Sequence, residues 1–175
     1  MNRREFIGAG GPVLAGLVLA TPVRGVWQSR DALEIRMRSD VRGERVWFDP
    51  VGVLVDPGTT IRWVVEANVH TAAAYHPANG DRPRRIPVGA RPWDSGYLVN
   101  PGDAFETTLT VPGVYDYYCL PHEQAGMVGR IVVGRPPFDA DALPAEAPPI
   151  PDAALRNLPA LDRILRERAV RVLFP

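Results

Sequence analysis

An all-β fold is predicted for this chain of 175 residues, followed by a proline-rich strap and a C-terminal amphipathic helix. Three observations predict it. Between residues 32 and 134 apolar side chains recur mostly with period two, the spacing at which an extended strand returns to one face. Turn signals divide that stretch at Asp56-Pro57-Gly58, Asn79-Gly80, Asn100-Pro101-Gly102 and Val111-Pro112-Gly113. No helical pattern intervenes, so the elements read as a β-sandwich or barrel of roughly seven to eight strands, which about 100 residues accommodate.

The elements follow in chain order. Asn2-Arg3-Arg4-Glu5-Phe6-Ile7 resembles a twin-arginine export signal, with Asn2 where Ser or Thr is usual. The weakly apolar stretch from Ile7 to Ala20 is shorter than the roughly 17–25 residues of a spanning helix, so residues 1–25 read as a signal peptide rather than an anchor. Leu33, Ile35 and Met37 alternate with Glu34, Arg36 and Arg38, and Ile61, Trp63 and Val65 alternate with Arg62 and Val64. Phe105, Thr107, Leu109 and Val111 form a third run; Tyr115, Tyr117 and Cys119 share a face of a fourth; Arg130 to Val133 closes the series. The stretch from Tyr75 to Trp93 breaks the rhythm and reads as a long ordered loop. Between Arg135 and Pro159 there are seven prolines, too many for a packed strand or helix, so residues 135–151 form a semi-rigid linker. Leu158, Leu161, Leu165, Ala169 and Val172 then recur at spacings of three and four, which predicts an amphipathic helix over 152–175 that either packs on its own domain or docks a partner or second copy. The domain itself spans 26–134.

Composition excludes more than it proposes. Hydrophobic residues make up 46% and charged residues 23%, which argues against wholesale disorder. Twenty basic residues, all arginine, balance twenty acidic ones, which argues against a nucleic-acid binder. Removal of residues 1–25 would leave a net charge of −2. One cysteine excludes an internal disulfide, a four-cysteine zinc site and a cysteine-ligated iron–sulfur cluster. With only three histidines, whatever metal chemistry the chain performs must manage with few nitrogen ligands.

One string carries chemistry. Cys119-Leu120-Pro121-His122-Glu123-Gln124-Ala125-Gly126-Met127 offers a thiolate, an imidazole and a thioether within nine residues, spaced Cys-x2-His-x4-Met. At a strand end this spacing lets a loop turn all three side chains toward one point. His70, past the strand from Thr60 to Glu66, completes a set of two imidazoles and one thiolate with a weak axial thioether, the donor set of a blue copper site. Soft sulfur ligands favour Cu(I) and imidazoles suit both oxidation states, whereas thioether ligation suits zinc badly. His76 is a rival for the first histidine position.

With these residues the chain resembles a cupredoxin of the plastocyanin/halocyanin type over most of residues 45–134. The resemblance rests on Pro57-Gly58-Thr59-Thr60-Ile61-Arg62-Trp63, on Asp94-Ser95-Gly96 with Pro101-Gly102, and on Val111-Pro112-Gly113 running through Tyr117-Tyr118-Cys119-Leu120-Pro121-His122 to Gly126-Met127-Val128-Gly129. It implies a Greek-key sandwich and the ligands His70, Cys119, His122 and Met127. Two departures stand out. Thr71 follows the first histidine where the family often has an Asn that ties the ligand loops together, and the stretch from His70 to Asp94 is longer than in a minimal plastocyanin.

The function this implies is a one-electron carrier holding one copper per chain, a monomer working between redox partner proteins outside the cytoplasm. It would have no catalytic residues, no small-molecule substrate and no membrane contact beyond an uncleaved signal. Copper delivery or storage on the same fold is the alternative. His122 is expected to present its ring edge through an apolar patch of Leu120, Pro121, Ala125 and Gly126. The loop from Asp81 to Arg91, with four arginines against one aspartate, is expected either to steer an acidic partner or to be merely solvated.

Overall fold

The structure, a computed structural model, describes residues 32–142, 144 and 150–172. The signal expected at 1–25 and part of the linker lie outside these residues. Nine strands are found among them: β1 (Leu33–Ser39), β2 (Val46–Asp49), β3 (Gly52–Val55), β4 (Thr59–Val65), β5 (Ala73–Ala74), β6 (Ala104–Leu109), β7 (Gly113–Tyr118), β8 (Val128–Val133) and β9 (Ala169–Val170). They form two sheets, one ordered β2-β1-β4-β6 and the other β5-β7-β8-β3-β9. The all-β sandwich is therefore observed, and without the two-residue strands β5 and β9 it has seven strands.

Each sheet contains one parallel pair, β1 with β4 and β3 with β8, and is otherwise antiparallel. In the first sheet the period-two pattern does what it predicts. Ile35, Met37, Ile61, Trp63 and Val65 point inward and are buried, while Arg62 on the outer face pairs with Glu106 across the strands. From the second sheet Val53, Val55, Tyr115, Tyr117, Ile131 and Val133 meet them, with Phe48 and Trp93 filling the centre. Cys119 and Met127 belong to the same core, at one end of it.

The second sheet is buried on both faces, which explains why β3 reads as a continuous apolar run rather than an alternating one. Its outer face is covered by the long loop 75–93 and by the C-terminal segment. There Val51, Leu54, Val132, Ile164 and Val170 form a second cluster, and Ala73, Tyr75, Tyr118, Val128, Ile150 and Ala154 a third.

That C-terminal segment differs from a single helix over 152–175. It contains two short helices, α1 (Asp152–Asn157) and α2 (Leu161–Glu167), separated at Leu158-Pro159-Ala160, and then β9. The physical reason is Pro159, which cannot donate the hydrogen bond that would carry α1 onward. Arg168, at φ 64°, ends α2. Ala169 and Val170 then pair with Val53 and Gly52 of β3 instead of extending the helical stripe. The segment packs on its own domain, as expected, with Ile164 fully buried. The approach is close enough to require Gly52: a Cβ there would meet Pro159 Cγ at 2.7 Å and Ile164 Cδ1 at 2.9 Å. No helix among the described residues is long and apolar enough to cross a membrane.

Candidate metal centre

The centre is built where β7 ends and the segment after β4 returns. β4 leads through a turn to His70, whose backbone exchanges hydrogen bonds with Leu98 (His70 N to Leu98 O, 3.1 Å; Leu98 N to His70 O, 2.9 Å). β7 delivers Cys119 directly. A short 3-10 helix, Leu120–Ala125, with Pro121 in its first turn, lifts His122 back over the cysteine. Gly126, at φ 84°, turns the chain out of this helix and into Met127 and β8. Two backbone bonds close the loop on itself. Cys119 N donates to Met127 O at 3.0 Å and Met127 N donates to His122 O at 3.1 Å.

Three of the four expected ligands are a cluster in space. One nitrogen each of His70 and His122 and the sulfur of Cys119 lie within 4.8 Å of one another. Cys119 Sγ is 3.7 Å from His70 Nδ1 and 3.4 Å from His122 Nδ1. Donor atoms this close together could bond one small metal ion at the same time. The fourth, Met127, is fully buried in the core beside Cys119 and bonded through its backbone to both loop ligands. His76 stays outside the cluster. Its Nδ1 accepts from Ala78 N at 3.1 Å, the role of a loop hydrogen-bonding residue.

The histidine tautomer is set by its surroundings. His70 Nε2 is 2.9 Å from Ala67 O, a pure acceptor, so Nε2 carries the proton and the Nδ1 lone pair faces the sulfur. Burial, with the neighbouring His122 adding to it, pushes the His70 imidazolium down to about 4. Burial also lowers His122. The Cys119 thiol is pushed up to about 11 by burial, partly offset by hydrogen bonds from Thr71. Both imidazoles are thus neutral and available as ligands at neutral pH, and the thiol gives up its proton only to a cation strong enough to replace it. Two neutral nitrogens, one sulfur and a buried thioether, with His70 and Cys119 buried and His122 half-buried, fit a soft or borderline ion.

Thr71 takes over the tie expected of Asn. Its N–H donates to Cys119 Sγ at 3.3 Å, and its Oγ1 accepts from Leu120 N at 2.7 Å, so one residue joins the His70 segment to the ligand loop. Ser95, in the Asp94-Ser95-Gly96 string, steadies the same segment by accepting from Ala72 N at 2.8 Å.

The sandwich and its ligand loop have the fold and donor types of a known class. Residues 35–134 match the model of the copper binding proteins of the plastocyanin/azurin family. The chain belongs to that family. Membership in it makes copper the metal of this protein and places it among copper-binding proteins rather than enzymes. The chloroplast plastocyanin of Tetradesmus obliquus is 30% identical over 125 residues, 71% of this cupredoxin and 78% of the relative. That of Hordeum vulgare is 60% identical over 37 residues, 21% of this chain, which spans about a quarter (24%) of the barley protein's length. Among solved structures, a pseudoazurin from Sinorhizobium meliltoi is similar at 26% identity and TM-score 0.54, covering 72% of this chain and 89% of its own.

The arginine-rich loop corrects an expectation. It does not offer four free cations for steering. Arg85, 9% exposed, is bound to the buried Asp116 at 2.9 Å; Arg82 pairs with Glu123 at 2.6 Å; and Arg84 Nη1 donates to Ile86 O at 2.8 Å. Asp116 also takes Arg130 at 2.7 Å, and Arg130 in turn donates to Pro159 O at 3.0 Å. Loop, strand β7 and C-terminal segment are therefore locked through one carboxylate. Glu123, inside the ligand loop yet 2% exposed, has its second oxygen unpaired beside the buried Tyr75 hydroxyl, whose phenol burial and this carboxylate push far above its ordinary value. Sequence reasoning missed these partners. The available signal was a charge inside an apolar run: Asp116 among Val114, Tyr115, Tyr117 and Tyr118.

Proposed function

We propose that the protein is a mononuclear type 1 copper protein with His70, Cys119, His122 and Met127 as its ligands. In this reading it carries single electrons between larger redox partners outside the cytoplasm, as a monomer. The observation that supports it most is the convergence of Cys119 Sγ with two imidazole nitrogens at 3.4 and 3.7 Å, drawn from segments 49 residues apart. Bound copper supplies a one-electron couple. The chain supplies a rigid frame: Ala67 O orients His70, the Thr71 N–H donates to the sulfur, and the sandwich excludes water. A frame that does not rearrange lets an electron pass with little reorganisation. His122 is half-buried, and exposed Leu120, Pro121 and Ala125 surround it on its helix. This collar suits brief docking against a partner, since transient redox contacts are small.

Residues 1–25 as an export signal, 26–134 as the copper domain, 135–151 as linker and 152–175 as a C-terminal helical segment complete the reading. Voltammetry of the copper-loaded protein tests it. A reversible one-electron wave, with copper retained against a chelator, is expected. An irreversible wave, with ready loss of copper to the chelator, would instead support delivery or storage.

A further inference from the structure

A side-chain hydrogen bond joins the C-terminal segment to the ligand loop. Asn157, the last residue of α1, donates from Nδ2 to Gly126 O at 3.0 Å. That carbonyl belongs to the peptide linking Gly126 to Met127, and it also accepts from Val128 N at 3.0 Å. The other backbone hydrogen bonds at this end of the loop (Cys119 N to Met127 O, Met127 N to His122 O, and Gly126 N to Glu123 O at 2.8 Å) are internal to it, while Thr71 and Arg82 hold it from outside farther along, at Leu120 and Glu123. Among the described residues Asn157 is the outside tether on the peptide before Met127. It is well anchored: Ala154 of α1 is fully buried against the cluster of Tyr75, Tyr118 and Val128. The packing is tight, because a Cβ on Gly126 would run into the Asn157 amide and meet Ala153 O at 2.9 Å.

We propose that Asn157 is a positioning residue of the copper site: by holding the Gly126 carbonyl it fixes the peptide from which Met127 projects. The inference rests on the four-ligand reading above. Met127 would supply copper with a weak thioether ligand, to which the potential would respond. A weak bond would leave the sulfur where the protein places it, so an external hydrogen bond on the preceding peptide has leverage that it would lack on a strong ligand. The C-terminal segment is thereby part of the metal site and not only a cover for the sheet.

The test compares copper-loaded Asn157→Ala and the isosteric Asn157→Asp, whose carboxylate cannot donate, with Leu155→Ala and Arg156→Ala, which alter exposed positions on the same helix. The readouts are the ratio of the two thiolate-to-copper absorption bands, the rhombicity of the EPR spectrum and the midpoint potential. Both Asn157 variants should keep the intense absorption but shift all three readouts beyond the spread of the controls. The shift should disappear when the same variants are made in Met127→Leu. Unshifted Asn157 spectra, or an equal shift in the Met127→Leu background, would overturn the tether while leaving the four ligands standing. A Met127→Leu protein identical to wild type would overturn the four-ligand reading, and the tether with it.

Discussion

His70 and Cys119 are buried in the same pocket, and burial moves them in opposite directions. A neutral imidazole held to about 4 and a thiol raised to about 11 mean that the metal-free pocket at pH 7 carries one displaceable proton, on sulfur. Calorimetry in buffers of different ionisation enthalpy should therefore find about one proton released per copper bound at pH 7; a count near zero or two would contradict the assignment. The His70 shift also fixes a sign. Its value falls from 6.5 in the unfolded chain to about 4 in the fold, so the unfolded state takes up the proton first. The stability of the metal-free protein should be fully present above pH 6.5 and decline as pH falls toward 4. Chemical denaturation across that window measures it. Thr71 gives the third prediction at this scale. Thr71→Val removes the acceptor of Leu120 N and leaves that N–H unpaired, at about 1–3 kcal/mol, whereas Thr71→Ser should retain most of the stability.

At the scale of elements, the ligand loop is held from two sides by pieces that a minimal sandwich lacks. The long loop 75–93 reaches it through Arg82 and Glu123. Arg82→Ala strands a carboxylate that is 2% exposed and should cost about 3 kcal/mol. Adding Glu123→Gln should recover part of the loss, and a double-mutant cycle by urea unfolding reads the coupling. The C-terminal segment is held by Ile164. Ile164→Ala should cost about 2–5 kcal/mol, the range for emptying a well-packed core site, and an unchanged denaturation midpoint would show the segment to be peripheral. Elements differed in how well they could be read in advance. β1, β4 and β6 alternate because one face of their sheet meets water. β3 is apolar on both faces and gives no period, and β9 shares the spacing of a helical stripe that Pro159 interrupts. Only contacts across the fold decide between strand and helix there.

For the whole molecule, the same contrast separates the site from its supports. Cys119, His122 and Met127 lie within nine residues, so their chemistry is visible as a string, and His70 follows a recognisable strand. Arg85, Arg130, Asp116 and Asn157 act through pairings between distant segments, for which no local spacing exists. The arginines of the long loop misled for that reason: counted along the chain they look like a basic patch, while in the fold two of them neutralise buried carboxylates. The pairings make the sandwich, the loop and the C-terminal segment one rigid housing around a pocket of two imidazoles, one thiol and one thioether. The claim that this housing is a type 1 copper site is tested most directly by adding Cu(II) to the metal-free protein and recording its absorption. The account predicts an intense blue thiolate-to-copper band that saturates at one copper per chain and is absent in Cys119→Ser. A protein that remains colourless at full copper loading, or a band that survives in Cys119→Ser, would contradict it.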